Sequence, residues 1–306
     1  MFISKRLICL CTMSILMIFA YGCKSKYENL DLSMYQYRET KNLVKFVYDA
    51  SLMLEKDTTD GLAYFRHNRA RFTTQDCYLY IYDMHGTNLF HAGMRHLEGK
   101  NLRDVTDKNG KKITRLILDA LENGNNPHAW VHYSWWEPGK FYPVPKSSCH
   151  FKVKTRDGRE LFVGGGMNYP HEEREFIRII VDDAAQLLKE EGSGALKEIS
   201  NPVSKYNYRD VRVFAFQADG TSLIAPAVNS SFSQTDLIEC VDEVGHRPFK
   251  KALEDLESAD GVWEVFMAKH RYQRQLTKKS LYVRKTLMEN QAVYVAAITD
   301  LPEPPY

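Results

Sequence analysis

Cysteine is sparse, with six in 306 residues, and Cys9 and Cys11 fall in an apolar run that opens the chain. Beyond Cys23 only Cys77, Cys149 and Cys240 remain, at no metal-ligand spacing, which argues against a zinc ribbon or finger. Cys77 and Cys149 can pair as a disulfide or stand as two separate buried thiols, and their spacing leaves both open. Charge of one sign is also lacking. Forty-one basic against 39 acidic residues give a net charge of +2 with no concentrated basic stripe, so nucleic acid is not the expected partner. There is no Gly-x-Ser-x-Gly elbow, no Walker loop, no His-Glu-x-x-His and no paired-Cys motif. His96, His132 and His150 have no ligand spacing, and Gly164-Gly165-Gly166 does not sit between a strand and a helix as a dinucleotide loop does. The chain is therefore not expected to be an enzyme, and no cofactor is expected. Long apolar runs are short as well. The one candidate, Leu7 to about Ala20, has about 14 residues where a membrane span needs about 20.

What is present at the N-terminus has an order. Lys5 and Arg6 precede the apolar run, and Ala20-Tyr21-Gly22-Cys23 follow it. Positive, then apolar, then small is the layout of a secretory signal. Gly22-Cys23 resembles the cleavage site of bacterial lipoproteins, in which the cysteine becomes the lipid-bearing first residue. Ala20 and Tyr21 depart from that family's usual residues, which leaves cleavage by an ordinary signal peptidase, or retention of the run as a membrane anchor, open. The expected division is a signal peptide over 1–22, Cys23 as the lipidation site, and a tether over 23–33. Lipid chains would hold the remainder at the outer side of a bacterial membrane, periplasmic or on the cell surface.

The remainder is ordinary globular sequence, 44% hydrophobic and 26% charged. Met34 to Glu55 predicts a helix, with Leu43, Val44, Val47, Ala50, Leu52 and Leu54 near helical spacing, and a short helix follows from Asp60. Then the period changes. Cys77 to Tyr82 is aromatic and β-branched, Asp83-Met84-His85-Gly86 is a turn, and Asn88 to His91 returns, which makes a hairpin. Ile113 to Glu122 predicts a helix, followed by strands at Ala129–Trp135, Ser148–Lys154 and Leu161–Gly166, the last two joined by a turn at Arg156-Asp157-Gly158-Arg159. The order then recurs: a long helix from His171 to Gly192, a linker, a strand over Asp210–Phe216, a turn, a short strand over Ser222–Ala225, a mostly helical Leu237–Leu256 interrupted near Gly245 and Pro248, and strands at 261–268, 280–288 and 292–300. This predicts an α+β protein of two tandem domains, each a five-stranded antiparallel sheet with helices. The domains are expected at 34–170 and 205–306, joined by a helix and linker over 171–204.

Six segments carry a resemblance. Tyr78 to His91 is similar to the opening hairpin of Cache sensor domains. Leu97-Glu98-Gly99-Lys100-Asn101-Leu102 resembles their L-x-G-K-N-L loop, and Val105-Thr106-Asp107 with Gly110-Lys111 the polar start of the next helix. Trp130-Val131-His132-Tyr133 resembles W-V-x-Y, Pro145-Lys146 a P-K motif, and Gly164-Gly165-Gly166-Met167-Asn168-Tyr169 the G-x-G-x-Y strand. Cys149 and Ala92-Gly93 depart from the family pattern. The second half keeps the strand–turn–strand opening without the W-V-x-Y and P-K motifs and resembles a diverged copy. The resemblance implies PAS-like sheets and a small pocket between the first sheet and its long loop. It also implies recognition of a small carboxylate or amine. Lys146, Tyr133, Trp130, Arg95 and His96 are the leading ligand-binding candidates, with Tyr80 and His150 beside them. Each also has a plainer role open to it. Trp130 suits a core, Arg95 a solvated loop and His150 a strand surface. His132 alternates with Tyr133 and should face away, at most one of Trp135 and Trp136 can enter a pocket, and Gly164 to Gly166 can admit a ligand or relieve crowding.

The expected function is that of an extracytoplasmic small-molecule sensing or binding protein. With no second apolar span before Tyr306, signalling is expected to pass through a separate transmembrane protein. The competing expectation is a structural or interaction lipoprotein with no ligand.

Overall fold

The structure is a computed structural model that describes residues 27–56, 58–74, 77–137, 140–227, 236–269 and 276–300. The expected signal peptide, Cys23 and the segment from Leu301 lie outside the described residues. The chain divides into two compact units, 1–34 and 35–306, and the fold below is that of the second.

Helix α1 (Arg38–Lys56) buries Leu43, Val44, Val47, Ala50 and Leu54, one stripe of an amphipathic pattern. It begins four residues later than the sequence predicts. The backbone N–H groups of Gln36 and Tyr37 donate to the Glu173 carboxylate, at 2.7 and 2.9 Å, and so are held outside the helix. Helix α2 (Thr58–His67) follows. Strands β1 (Cys77–Asp83) and β2 (Asn88–His91) then form the predicted hairpin. Helix α3 (Ile113–Glu122) leads to β3 (Val131–Trp136), β4 (Pro143–Lys154) and β5 (Glu160–Asn168). The sheet order is β2-β1-β5-β4-β3, antiparallel throughout, with β3 at one edge. Strand β4 is longer than predicted because the ladder continues past two prolines, which in sequence demote a strand. Lys146 pairs with both Tyr133 and Asn168 in this extension.

Helix α4 (Arg174–Glu191) packs on the second sheet, whose strands are β8 (Phe214–Gln217), β9 (Ser222–Ile224), β10 (Gly261–Lys269), β11 (Leu276–Met288) and β12 (Gln291–Asp300). Its order, β10-β11-β12-β8-β9, is that of the first sheet read from the other edge. The opening hairpins match in detail. Asp83 N–H donates to Thr87 O and Gln217 N–H to Thr221 O, around Gly86 (φ +91°) and Gly220 (φ +88°). Both turns need a left-handed residue, which glycine supplies without strain.

Between the sheets the structure departs from the sequence reading. Part of the expected linker is helix α5 (Ala195–Ser200). The single strand expected over 210–216 is instead a two-stranded ribbon, β6 (Asn207–Tyr208) with β7 (Val211–Arg212), turned at Arg209 (φ +53°) and followed by β8. The expected helix over 237–256 is helical only in α6 (Pro248–Asp255). Ahead of it the Asp242 carboxylate accepts from the N–H groups of Val244, His246 and Met267, which fixes a turn at the break expected near Gly245.

Cys77 and Cys149 form no disulfide. They stand on β1 and β4 with β5 between them. Two strand spacings come to about 9.6 Å, beyond the roughly 7 Å over which Cα atoms can be bridged. Among the described residues no helix is long and apolar enough to cross a membrane.

Candidate functional site

Pairing across the first sheet sets which side chains share its loop-facing side. Tyr78, Tyr80 and Tyr82 alternate along β1. Gly164 and Gly166 lie opposite them on β5, with Lys146, Ser148 and His150 on β4 and Tyr133 on β3. A cavity of about 30 Å³ lies here, walled by Tyr78, Tyr80, His91, Tyr133, Ile113 and Thr114 among others. That is room for about two waters. No acidic side chain lines it.

Lys146 is 2% exposed. Its Nζ donates to Asn168 Oδ1 at 3.0 Å and lies 4.0 Å from the centroid of the Tyr78 ring. Among the described residues no carboxylate forms an ion pair with it. An ammonium removed from water without a counter-ion is costly, and its proton is correspondingly loosened. Burial pushes Lys146 down to about 8. The field of this lysine reaches the cavity wall. His91 is lowered to about 3, first by burial and then by Lys146, and its Nδ1 accepts from Met94 N–H at 2.9 Å. Among the described residues the buried Tyr78 hydroxyl has no hydrogen-bond partner.

His150 is neutral, lowered to about 4 by burial. Its Nδ1 faces the Ala129 carbonyl at 2.6 Å, so that nitrogen carries the proton. Nε2 is left to accept from the Tyr80 hydroxyl at 2.9 Å. Ser148 and Tyr133 hydroxyls also reach Tyr80, making a buried polar network across β1, β3 and β4. The glycines of β5 make room for it. A Cβ on Gly164 would stand 2.5 Å from His150 Cδ2 and closer still to Tyr80, and one on Gly166 would stand 2.7 Å from Lys146 Cε.

Tyr133, Tyr80, His150 and Lys146 are thus brought together at one place. Trp130 is not among them. It packs on the opposite side, with Nε1–H donating to the Tyr35 hydroxyl at 2.7 Å and its ring 4.6 Å from Phe176. Arg95 and His96 are exposed in a short turn of 3₁₀ helix and do not line the cavity. Tyr78 and His91 were missed as wall residues. Strand alternation from Tyr80 would have found Tyr78, and hairpin pairing would have found His91, its partner on β2.

In the second sheet aromatic rings pack the face of β8. There α6 presses Phe249 onto Phe214 and Phe216, with ring centroids 6.2 and 5.7 Å apart. These residues belong to a continuous apolar core.

A family model described as a Cache domain matches residues 66–289, a span that runs from α2 into the end of β11. The chain belongs to the Cache domain family. No curated protein matches it. Among solved structures it is similar to a methyl-accepting chemotaxis protein from Vibrio parahaemolyticus, at 24% identity over 42% of this chain and 84% of that one, with a TM-score of 0.35. It is similar to a Cache chemosensory domain studied for carboxylic acid recognition, at 18% identity over 44% and 100%, TM-score 0.36. A third is the ligand-binding domain of the Pseudomonas aeruginosa amino acid chemoreceptor PctB with L-Arg, at 10% identity over 86% and 87%, TM-score 0.30. Nothing below rests on these likenesses.

Proposed function

We propose that the chain is an extracytoplasmic sensing protein whose first domain binds a small carboxylate beside Lys146. The observation that carries this is a buried ammonium with no carboxylate in ion-pair contact among the described residues, separated only by the Tyr78 ring from a cavity without acidic walls. A ligand carboxylate would supply the missing counter-charge. A ligand ammonium would meet Lys146 with nothing to balance it, which favours the carboxylate over the amine. The cavity limits the ligand to a few heavy atoms, on the scale of acetate. In this reading the carboxylate displaces the Tyr78 ring from Lys146, which joins the ammonium to the cavity and enlarges it.

The remaining parts of the reading are proposals of the same kind. The first domain spans 34–170 and the second 205–306, with 171–204 connecting them. The second is a diverged Cache domain serving as a structural mate, in keeping with its filled core. Cys23 carries a lipid, and a separate membrane protein receives the signal.

Thermal shift of the mature chain against equal-sized carboxylates and amines tests the ligand. Acetate, propionate or pyruvate should raise the melting temperature and methylamine or ethylamine should not. A ligand at a hundredfold its Kd stabilises by about 2.7 kcal/mol. No shift with any carboxylate would leave the structural lipoprotein as the better reading.

A further inference from the structure

A larger space lies outside the cavity described above. It is a cleft of about 570 Å³ running along edge strand β3, between the loop at 107–111 and the β6–β7 ribbon. Lys108, Lys111, Lys146, Arg209 and Arg212 line it, with Tyr133, against Asp107 and Asp210. Asp107 is already spent on backbone: Oδ1 accepts from Asn109 and Lys111 N–H, and Oδ2 from Ser134 N–H at 3.0 Å.

The cations are less fully engaged. Lys111 Nζ donates to the carbonyls of His132 and Asn207, at 3.0 and 2.6 Å, which leaves one of its three N–H bonds unused. Arg212 Nη1 donates to the Arg209 and Val211 carbonyls and to no carboxylate among the described residues. Lys108 is exposed and forms no ion pair among them. Arg209 Nη1 donates to the Pro170 carbonyl at 2.9 Å and lies 3.8 Å from Glu172. His132 provides the second, independent observation. It is 8% exposed and lines the cleft. Its Nδ1 meets Ser147 Oγ at 2.7 Å, and its Nε2 is buried without a partner.

We propose that this cleft is a second binding site, for a small dianion with oxygen acceptors, either a phosphate or a dicarboxylate. Such an anion takes the unused donors of Lys108, Lys111 and Arg212, and that of His132 Nε2 in the tautomer whose Nδ1 accepts from Ser147 Oγ–H, and so ties the first domain to the ribbon that leads into the second sheet. Multidentate contact with oxygens is what these donors suit. Lys146 borders this cleft too, so the test turns on Lys108 and Arg212, which lie outside the smaller cavity.

The test is calorimetric titration of the full mature chain with inorganic phosphate and, separately, with succinate. At least one should bind with unit stoichiometry and weaken as salt rises. The pattern between the two names the source. The exposed-cation variants Lys108→Gln and Arg212→Gln should each lower affinity about tenfold while keeping the wild-type melting temperature. The proposal is overturned if neither anion binds at millimolar concentration, or if the Lys108→Gln, Arg212→Gln double variant binds as wild type does.

Discussion

The Lys146 ammonium lies 4.0 Å from the centroid of the Tyr78 ring, and the hydroxyl of that same tyrosine is buried without a hydrogen-bond partner among the described residues. The ring stands in for a counter-ion, since its π face attracts a cation without neutralising it. The unpaired hydroxyl is a cost to the fold. Tyr78→Phe keeps the ring over the lysine and removes the cost. Its unfolding free energy by denaturant titration should equal or exceed that of wild type by up to about 1 kcal/mol. A loss above about 1 kcal/mol would mean that the hydroxyl has a partner in solution.

Lys146→Met removes the buried charge at similar volume. Replacing a buried ionic group with a well-packed apolar one is often neutral or stabilising. The ligand-free variant should melt at or above the wild-type temperature and show no shift with acetate. A variant that still shifts would place the carboxylate elsewhere.

The same lysine sets a pH dependence. Burial lowers it to about 8 from 10.5, so the unfolded chain holds a proton that the folded chain has lost between those values. Stability therefore rises as pH climbs from about 8 toward 10.5, by an amount on the order of 3 kcal/mol for this one group. Lys111 is shifted the same way, also to about 8 by burial. The measurement is the difference in unfolding free energy between wild type and Lys146→Met across pH 7 to 10, which isolates Lys146. A difference that is flat with pH would contradict the buried, unpaired ammonium.

Gly164→Ala should be costly. The new methyl group would overlap Tyr80 and His150, whose side chains are locked together by a hydrogen bond. Overpacking of this kind costs about 1–3 kcal/mol. Gly124→Ala, where a Cβ meets nothing within 4 Å, is the control. Equal melting temperatures for the two would show that the network can shift aside.

Cys77 and Cys149 should both be alkylated when the oxidised, denatured protein is treated with iodoacetamide and read by mass spectrometry. A Cys77–Cys149 cross-linked peptide would require β5 to be absent from between their strands.

Much of the fold was legible because periodicity and turn chemistry agreed. The hairpin at 77–91 and α3 fall where alternation, glycine turns and helical spacing put them. What misled was in part tertiary. Glu173 holds residues 36 and 37 out of α1, and Asp242 replaces a helix with a turn through three backbone hydrogen bonds. Glu173 is not visible from local sequence around α1, whereas two of the three Asp242 bonds are local, to Val244 and His246. At the site, Tyr133, Lys146, Tyr80 and His150 share one side of the sheet because their strands pair as they do. Trp130 and Tyr133 are an odd number apart, and parity alone sets them against each other along an extended chain. Gly164 to Gly166 relieve crowding, a role the sequence left open.

Crystals soaked in acetate give the most direct check on the carboxylate site. The expected map shows the Tyr78 ring moved off Lys146 and a planar ligand with an oxygen about 2.8 Å from Nζ. A map in which the ammonium still lies over the undisturbed Tyr78 ring, at saturating acetate and neutral pH, would contradict the assignment of this cavity as the sensing site.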